Sequence, residues 1–235
     1  MAKKNKEISS SNLIKVKPIT EGQKSVFETW KKGQNQFLFG CAGTGKTFIS
    51  LYLAMQDVLD LKKKYDKVIL VRSLIPTREI GFLPGDEEDK AALYQVPYQN
   101  MVKFMFEQPN EQAFNMLYDR LKNQGSLYFL STSFLRGLTF DNSIIIVDEC
   151  QNLNFHELDT ITTRVGQDSK IVFCGDFSQT DLLKQNEKNG LHDFLRILME
   201  MQEFNCIEFN IGDIVRSGFV RNYLIQKTKL GMGME

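Results

Sequence analysis

Cysteine and histidine are scarce in this chain. Cys41, Cys150, Cys174 and Cys206 stand far apart along 235 residues, and His156 and His192 are the only histidines. With no C-x-x-C pair and no Cys/His cluster, the pattern offers no zinc site. Isolated cysteines of this kind read as reduced core residues and suit a cytoplasmic compartment. Long apolar runs are missing too, and the first residues are too polar for a signal peptide, so neither a membrane span nor a membrane partner is expected. Internal repeats and low-complexity linkers are also absent. Finally, the chain has no net charge, because 29 basic and 29 acidic residues cancel. Any surface for nucleic acid would therefore be a local patch. The lysines at positions 3, 4, 6, 15, 17 and 62 to 64 read as a solvated tail and a helix end.

What the chain does contain is Gly40-Cys41-Ala42-Gly43-Thr44-Gly45-Lys46-Thr47, directly after the apolar run Phe37-Leu38-Phe39. This matches the phosphate-binding loop pattern G-x-x-x-x-G-K-[ST] at every fixed position. A triphosphate needs several backbone N–H donors converging on it, and the glycines let the backbone wrap closely. Lys46 adds charge, and Thr47 offers a hydroxyl to Mg²⁺. The stretch that follows reads as a helix whose N-terminal dipole end faces the phosphates.

Short apolar runs alternate with helical stretches, which predicts an α/β fold: one RecA-like P-loop domain with a mostly parallel central sheet, flanked by helices. Strands are expected over residues 36–39, 67–71, 127–131, 143–147, 170–174 and 206–209. Helices are expected over 21–32, 46–61, 111–122, 155–164, 191–201 and 219–229. Residues 1–17 lack an apolar period and are read as a flexible tail before a domain over 18–235. Residues 76–110 carry Pro76, Pro84, Pro97 and Pro109, fit no simple βα unit and are read as an insertion.

Ile144-Ile145-Ile146-Val147 runs into Asp148-Glu149. A buried parallel strand that delivers carboxylates at its C-terminal end places them where α/β sheets bind ligands. Asp148 is expected to hold the Mg²⁺ shell, and Glu149 to polarise the water that attacks the γ-phosphate. A second strand ends in Gly175-Asp176-Phe177-Ser178-Gln179. Gln179 there can sense the γ-phosphate, since its amide both donates and accepts.

The pair Asp148-Glu149-Cys150-Gln151 and Gly175 to Gln179 resembles the DExQ and GDxxQ motifs of superfamily 1 helicases. In such helicases a glutamine upstream of the phosphate loop reads adenine, and Gln23 stands in that place. Four further segments narrow the match: Val71-Arg72-Ser73, Glu79 to Asp86 with its Gly-Phe-Leu-Pro-Gly-Asp element, Leu135 to Phe140, and Asp213-Ile214-Val215-Arg216. With the nucleotide motifs they resemble the PhoH family, the phosphate-starvation-inducible ATPases, over roughly residues 20–225. The resemblance implies an ATPase with Mg²⁺ and a helicase-like relationship to RNA or single-stranded nucleic acid, with unwinding left open. It looks like the short form found in bacteriophages, which would act in the host cytoplasm.

One RecA-like domain alone implies a homo-oligomer, possible as a ring, with Arg216 reaching the γ-phosphate of a neighbouring subunit. The chain departs from the family at Ser217-Gly218, where His-Pro is common. Arg72 and Arg136 match positions expected to face nucleic acid or a neighbouring subunit. Phe82, Tyr94 and Tyr98 are candidates for stacking on bases. Two other functions share the phosphate loop: an ATP-gated interaction or scaffold protein with little turnover, and a small-molecule phosphotransferase. Glu149 beside the metal aspartate argues against the phosphotransferase, which must suppress attack by water.

Overall fold

Six strands form a parallel sheet in the spatial order β3-β2-β4-β5-β1-β6. They are β1 (Asn35–Gly40), β2 (Lys67–Arg72), β3 (Leu127–Ser131), β4 (Ser143–Val147), β5 (Lys170–Gly175) and β6 (Phe204–Phe209). The computed structural model describes residues 8–73, 87–132, 135, 137–177 and 190–230.

The inner strands β2, β4 and β5 read as continuous apolar runs because both faces of the sheet are covered there. Alternate residues point to opposite sides. Leu38, Val68, Leu70, Ile144, Ile146 and Val172 enter one core with Val26, Leu51, Met55 and Val102. Phe37, Phe39, Ile69, Ile145, Val147 and Phe173 enter the other with Leu158, Ile161, Phe194 and Leu198. The first core is roofed by α1 (Glu21–Lys31), α2 (Lys46–Leu59), α3 (Glu87–Met105) and α4 (Glu111–Asn123). The second is roofed by α5 (Phe155–Thr162) and α6 (Leu191–Glu200). A last helix, α7 (Gly218–Lys229), buries no residue fully.

Helix starts follow their capping residues. Thr20 accepts from the backbone N–H of Gln23 at the head of α1, Asn110 from that of Ala113 at the head of α4, and Asn154 from that of Glu157 in a capping box. No helix among the described residues is long and apolar enough to cross a membrane.

Two segments carry packing that the sequence does not announce. Part of the supposed flexible tail is packed: Ile8 and Leu13 are buried in the first core. The backbone N–H of Ile14 donates to Met105 and that of Val16 to the Tyr52 hydroxyl. Two isolated apolar anchors hold this segment, which is why it shows no period. The segment read as an insertion contributes α3, a structural element of the domain, with Tyr98, Val102 and Met105 buried. Pro97 lies inside this helix, where its missing N–H removes one helical hydrogen bond.

Candidate nucleotide site

The carboxyl ends of β1, β2, β4 and β5 share one edge of the sheet, where doubly wound folds place their ligands. β1 ends at Gly40, and residues 41–45 carry the chain into α2 at Lys46. Gly40 has φ +117°, and a Cβ there would lie 2.0 Å from the Phe209 carbonyl oxygen of β6. This glycine is therefore required first by the neighbouring strand rather than by a phosphate. Gly43, at φ +74°, lies under Arg216 and Leu224, whose atoms would be 3.0 and 2.9 Å from an added Cβ.

The loop is braced by the segment after β6. The Cys41 N–H donates to the Phe209 carbonyl at 2.8 Å, and the Val215 N–H to the Gly43 carbonyl at 3.0 Å. That segment is anchored in turn by Asp213, which is buried and accepts from the backbone N–H groups of Gly22 and Asn210. Arg216 follows directly and lines the phosphate-loop cavity of its own chain, a space of about 160 Å³ also bounded by Lys46, Thr47, Asp148, Glu149 and Asp176. The expected reach across a subunit interface is thus not needed to bring Arg216 to the loop.

Lys46 is buried with its ammonium among oxygens. It donates to the carbonyls of Gly40 and Cys41 at 3.2 and 2.8 Å and to the Thr44 hydroxyl at 3.3 Å. It also pairs with Asp176 at 2.7 Å. Ala42 completes the turn between these contacts. Thr47 and Asp148 meet: the Thr47 hydroxyl donates to Asp148 Oδ1 at 2.6 Å. Hydroxyl and carboxylate oxygens are the hard donors that Mg²⁺ takes, so the residues present fit that ion.

Glu149 takes a left-handed backbone at φ 54°, an uncommon conformation for a residue other than glycine. Its carboxylate accepts from the Gln151 side-chain amide at 2.6 Å, and the side-chain Oε1 of Gln151 accepts from the Asp176 backbone N–H at 3.1 Å. Burial, then the nearby Asp148 and Asp176 carboxylates, push Glu149 above the usual carboxylate range; the Gln151 hydrogen bond and Arg72 oppose this. A carboxyl shifted in that direction is better matched to taking up a proton.

The expected adenine reader, Gln23, is buried. Its amide donates to the Thr44 carbonyl at 3.0 Å and accepts from the Ile19 N–H at 2.9 Å. It ties the phosphate loop to the segment before α1, and its carbonyl is already engaged.

Arg72, at the end of β2, is half-buried. Its guanidinium lies 5.5 Å from the centroid of the Tyr94 ring. Tyr98, a stacking candidate from sequence, is buried and donates to Asp148 Oδ2 at 2.7 Å. Burial and the Asp148 carboxylate hold its phenol far above the ordinary value, so it stays an un-ionised donor. Gln179, Arg136 and Phe82 lie outside the described residues.

Sequence reasoning missed Tyr98 and Asp176 as members of the site and gave Gln151 no role. Gln151 was accessible, since it stands two positions after Glu149 and the motif already singled it out. Nothing in the sequence signalled that Tyr98 meets Asp148.

The PhoH-like protein family model matches residues 15–226. The PhoH-like protein of Synechocystis sp. is 32% identical over 207 residues, covering 88% of this chain and 60% of that protein. Protein PhoH of Escherichia coli K12 is 31% identical over 206 residues, covering 87% of this chain and 56% of the relative. This chain therefore spans little more than half the length of these curated relatives. Among solved structures, the large terminase of a thermophilic bacteriophage superposes with a TM-score of 0.51 at 11% identity, covering 90% of this chain and 50% of that one. At that identity the likeness concerns the P-loop NTPase fold alone. On the match over nearly its whole length, the chain belongs to the PhoH-like protein family.

Proposed function

We propose that this chain binds ATP with Mg²⁺ and hydrolyses it to ADP and phosphate, coupled to RNA or another single-stranded nucleic acid. The observation that carries the reading is the meeting of Thr47 with Asp148 at the head of the phosphate loop, with Lys46, Glu149 and Arg216 around the same small cavity.

In this reading the backbone N–H groups of the loop and the Lys46 ammonium hold the β- and γ-phosphates. A triphosphate competes with Asp176 for Lys46. Thr47 and Asp148 would hold Mg²⁺, and the chemistry supplied by that ion when bound is neutralisation of charge on the phosphate oxygens. Glu149 accepts a proton from water as its oxygen bonds to the γ-phosphorus and the bond to the ADP oxygen breaks. The Arg216 guanidinium stabilises the charge spread over the transferring group. Because Arg216 lines the cavity of its own chain, the chemistry does not depend on a ring, although several copies can still assemble around nucleic acid. The coupling to nucleic acid is supported by the motif pair that ends in Gln151 and Gln179.

The test is steady-state phosphate release in Mg²⁺, with and without single-stranded RNA and single-stranded DNA. Hydrolysis stimulated by at least one strand is expected. Equal rates in every arm would remove the coupling. Tight nucleotide binding with no turnover in any arm would favour an ATP-gated scaffold instead.

A further inference from the structure

Asp148 is buried, and each of its carboxylate oxygens accepts one hydroxyl. Thr47 donates to Oδ1 from the phosphate-loop helix, and Tyr98 donates to Oδ2 from α3, 50 positions away in sequence. An ionised carboxylate only accepts, so the phenol proton is committed to Asp148. Tyr98 and Thr47 thus hold the carboxylate from its two opposite oxygens.

The Tyr98 ring cannot swing freely. It is 2% exposed and lies 5.8 Å from the Phe129 ring of the edge strand β3. Its helix is fixed in the turns that follow this residue. Val102 and Met105 are buried in the first core, Met101 lines the phosphate-loop cavity, and Phe104 meets Phe48 of α2 edge to face at 5.7 Å.

We propose that Tyr98 is a positioning residue for the divalent-cation carboxylate. By holding Oδ2 of Asp148, it keeps Oδ1 turned to the Thr47 hydroxyl and so sets the pair of oxygens that receives the ion. This inference rests on the nucleotide reading above. Partners of this kind orient a ligand without touching the ion, and their loss typically weakens metal affinity about 10- to 100-fold.

The test compares the wild-type chain with Tyr98→Phe, which removes a single oxygen. Mn²⁺ binding is followed by the electron paramagnetic resonance signal of the free ion, with ADP present. ADP binding is measured separately in EDTA. The expected result is a Kd for Mn²⁺ raised about tenfold or more, with ADP affinity in EDTA unchanged. A structural role alone would lower the melting temperature without separating metal from nucleotide in this way.

Mn²⁺ affinity within twofold of wild type would overturn the proposal. Should Tyr98→Phe lose its cooperative melting transition, Tyr98→Met removes the same donor with a flexible apolar side chain. It is expected to weaken Mn²⁺ in the same direction, and unchanged affinity there overturns the proposal equally. A wild-type chain that binds neither ADP nor Mn²⁺ would overturn the nucleotide reading first. A wild-type chain that binds both, with unaffected variants, would overturn the positioning role alone.

Discussion

Thr47 Oγ1 lies 2.6 Å from Asp148 Oδ1, although 101 positions separate the two residues. The contact joins the first turn of α2 to the end of β4 and brings the two hard oxygens together where the phosphate loop opens. If they form the cation site, a hydroxyl at position 47 matters more than the methyl beside it. Thr47→Ser is expected to keep ATP turnover within about threefold, and Thr47→Ala to lose about tenfold or more, roughly 1.4 kcal/mol of transition-state stabilisation. The Mg²⁺ concentration for half-maximal rate should rise in the alanine variant. Phosphate release titrated with Mg²⁺ checks both.

Arg216 and Lys46 bound the same cavity of one chain. An arginine acting in cis cannot be supplied by a neighbour. Mixtures of Lys46→Ala and Arg216→Ala chains are therefore expected to stay inactive at every ratio. Recovered activity in the mixture would show that Arg216 serves the site of another subunit.

Gly40 stands against the backbone of β6, with only 2.0 Å available to a Cβ and a φ of +117°. Alanine there must push β1 and β6 apart or abandon the backbone conformation. Gly40→Ala is predicted to cost more than about 3 kcal/mol, on the order of the large values that backbone strain and core overpacking produce together. Urea unfolding measures it. The milder expectation applies to Gly33, at φ +80° with open space around it, where alanine costs about 1 kcal/mol.

Lys170, at the start of β5, is buried with its ammonium 4.1 Å from the centroid of the Trp30 ring and donating to the Trp30 carbonyl. Burial lowers its pKa from 10.5 to about 8, with Asp57 opposing and Lys63 and Lys64 adding to the shift. Between those two values the unfolded chain binds a proton that the folded chain has released. Stability contributed by this site therefore rises with pH across that window. The stability difference between the wild-type chain and Lys170→Met should move in favour of wild type from pH 8 to 10.5. A difference independent of pH would contradict the assignment.

The strands were legible because burial on both faces turns them into runs such as Ile144 to Val147, which few other elements resemble. The phosphate loop and its carboxylates were legible because fixed backbone geometry demands particular residues at fixed spacing. α3 was not. Tyr98, Val102 and Met105 face the core, but Leu93, Val96 and Phe104 are exposed on the same helix and Pro97 interrupts it. No single apolar stripe remains to be read, and four prolines within and around the segment argue for a loop. Gln23 is a different case: its position was informative, but a side-chain amide can serve a ligand or a carbonyl, and only the fold shows that it donates to the Thr44 carbonyl.

Glu149 carries the central claim. Its carboxyl is pushed above the usual range by burial and by the carboxylates of Asp148 and Asp176. It favours the folded state most when protonated, a contribution present below the unfolded pKa and lost as pH rises through the folded one. The ionised form needed to accept a proton is thus held at a cost, and Glu149→Gln should melt no lower than wild type at neutral pH. The decisive measurement is ATP binding and phosphate release by wild-type and Glu149→Gln chains in Mg²⁺, across pH. The account predicts equal ATP affinity and turnover reduced about 100-fold or more in the variant. Absent nucleotide binding, or a variant that hydrolyses ATP as fast as wild type, would contradict it.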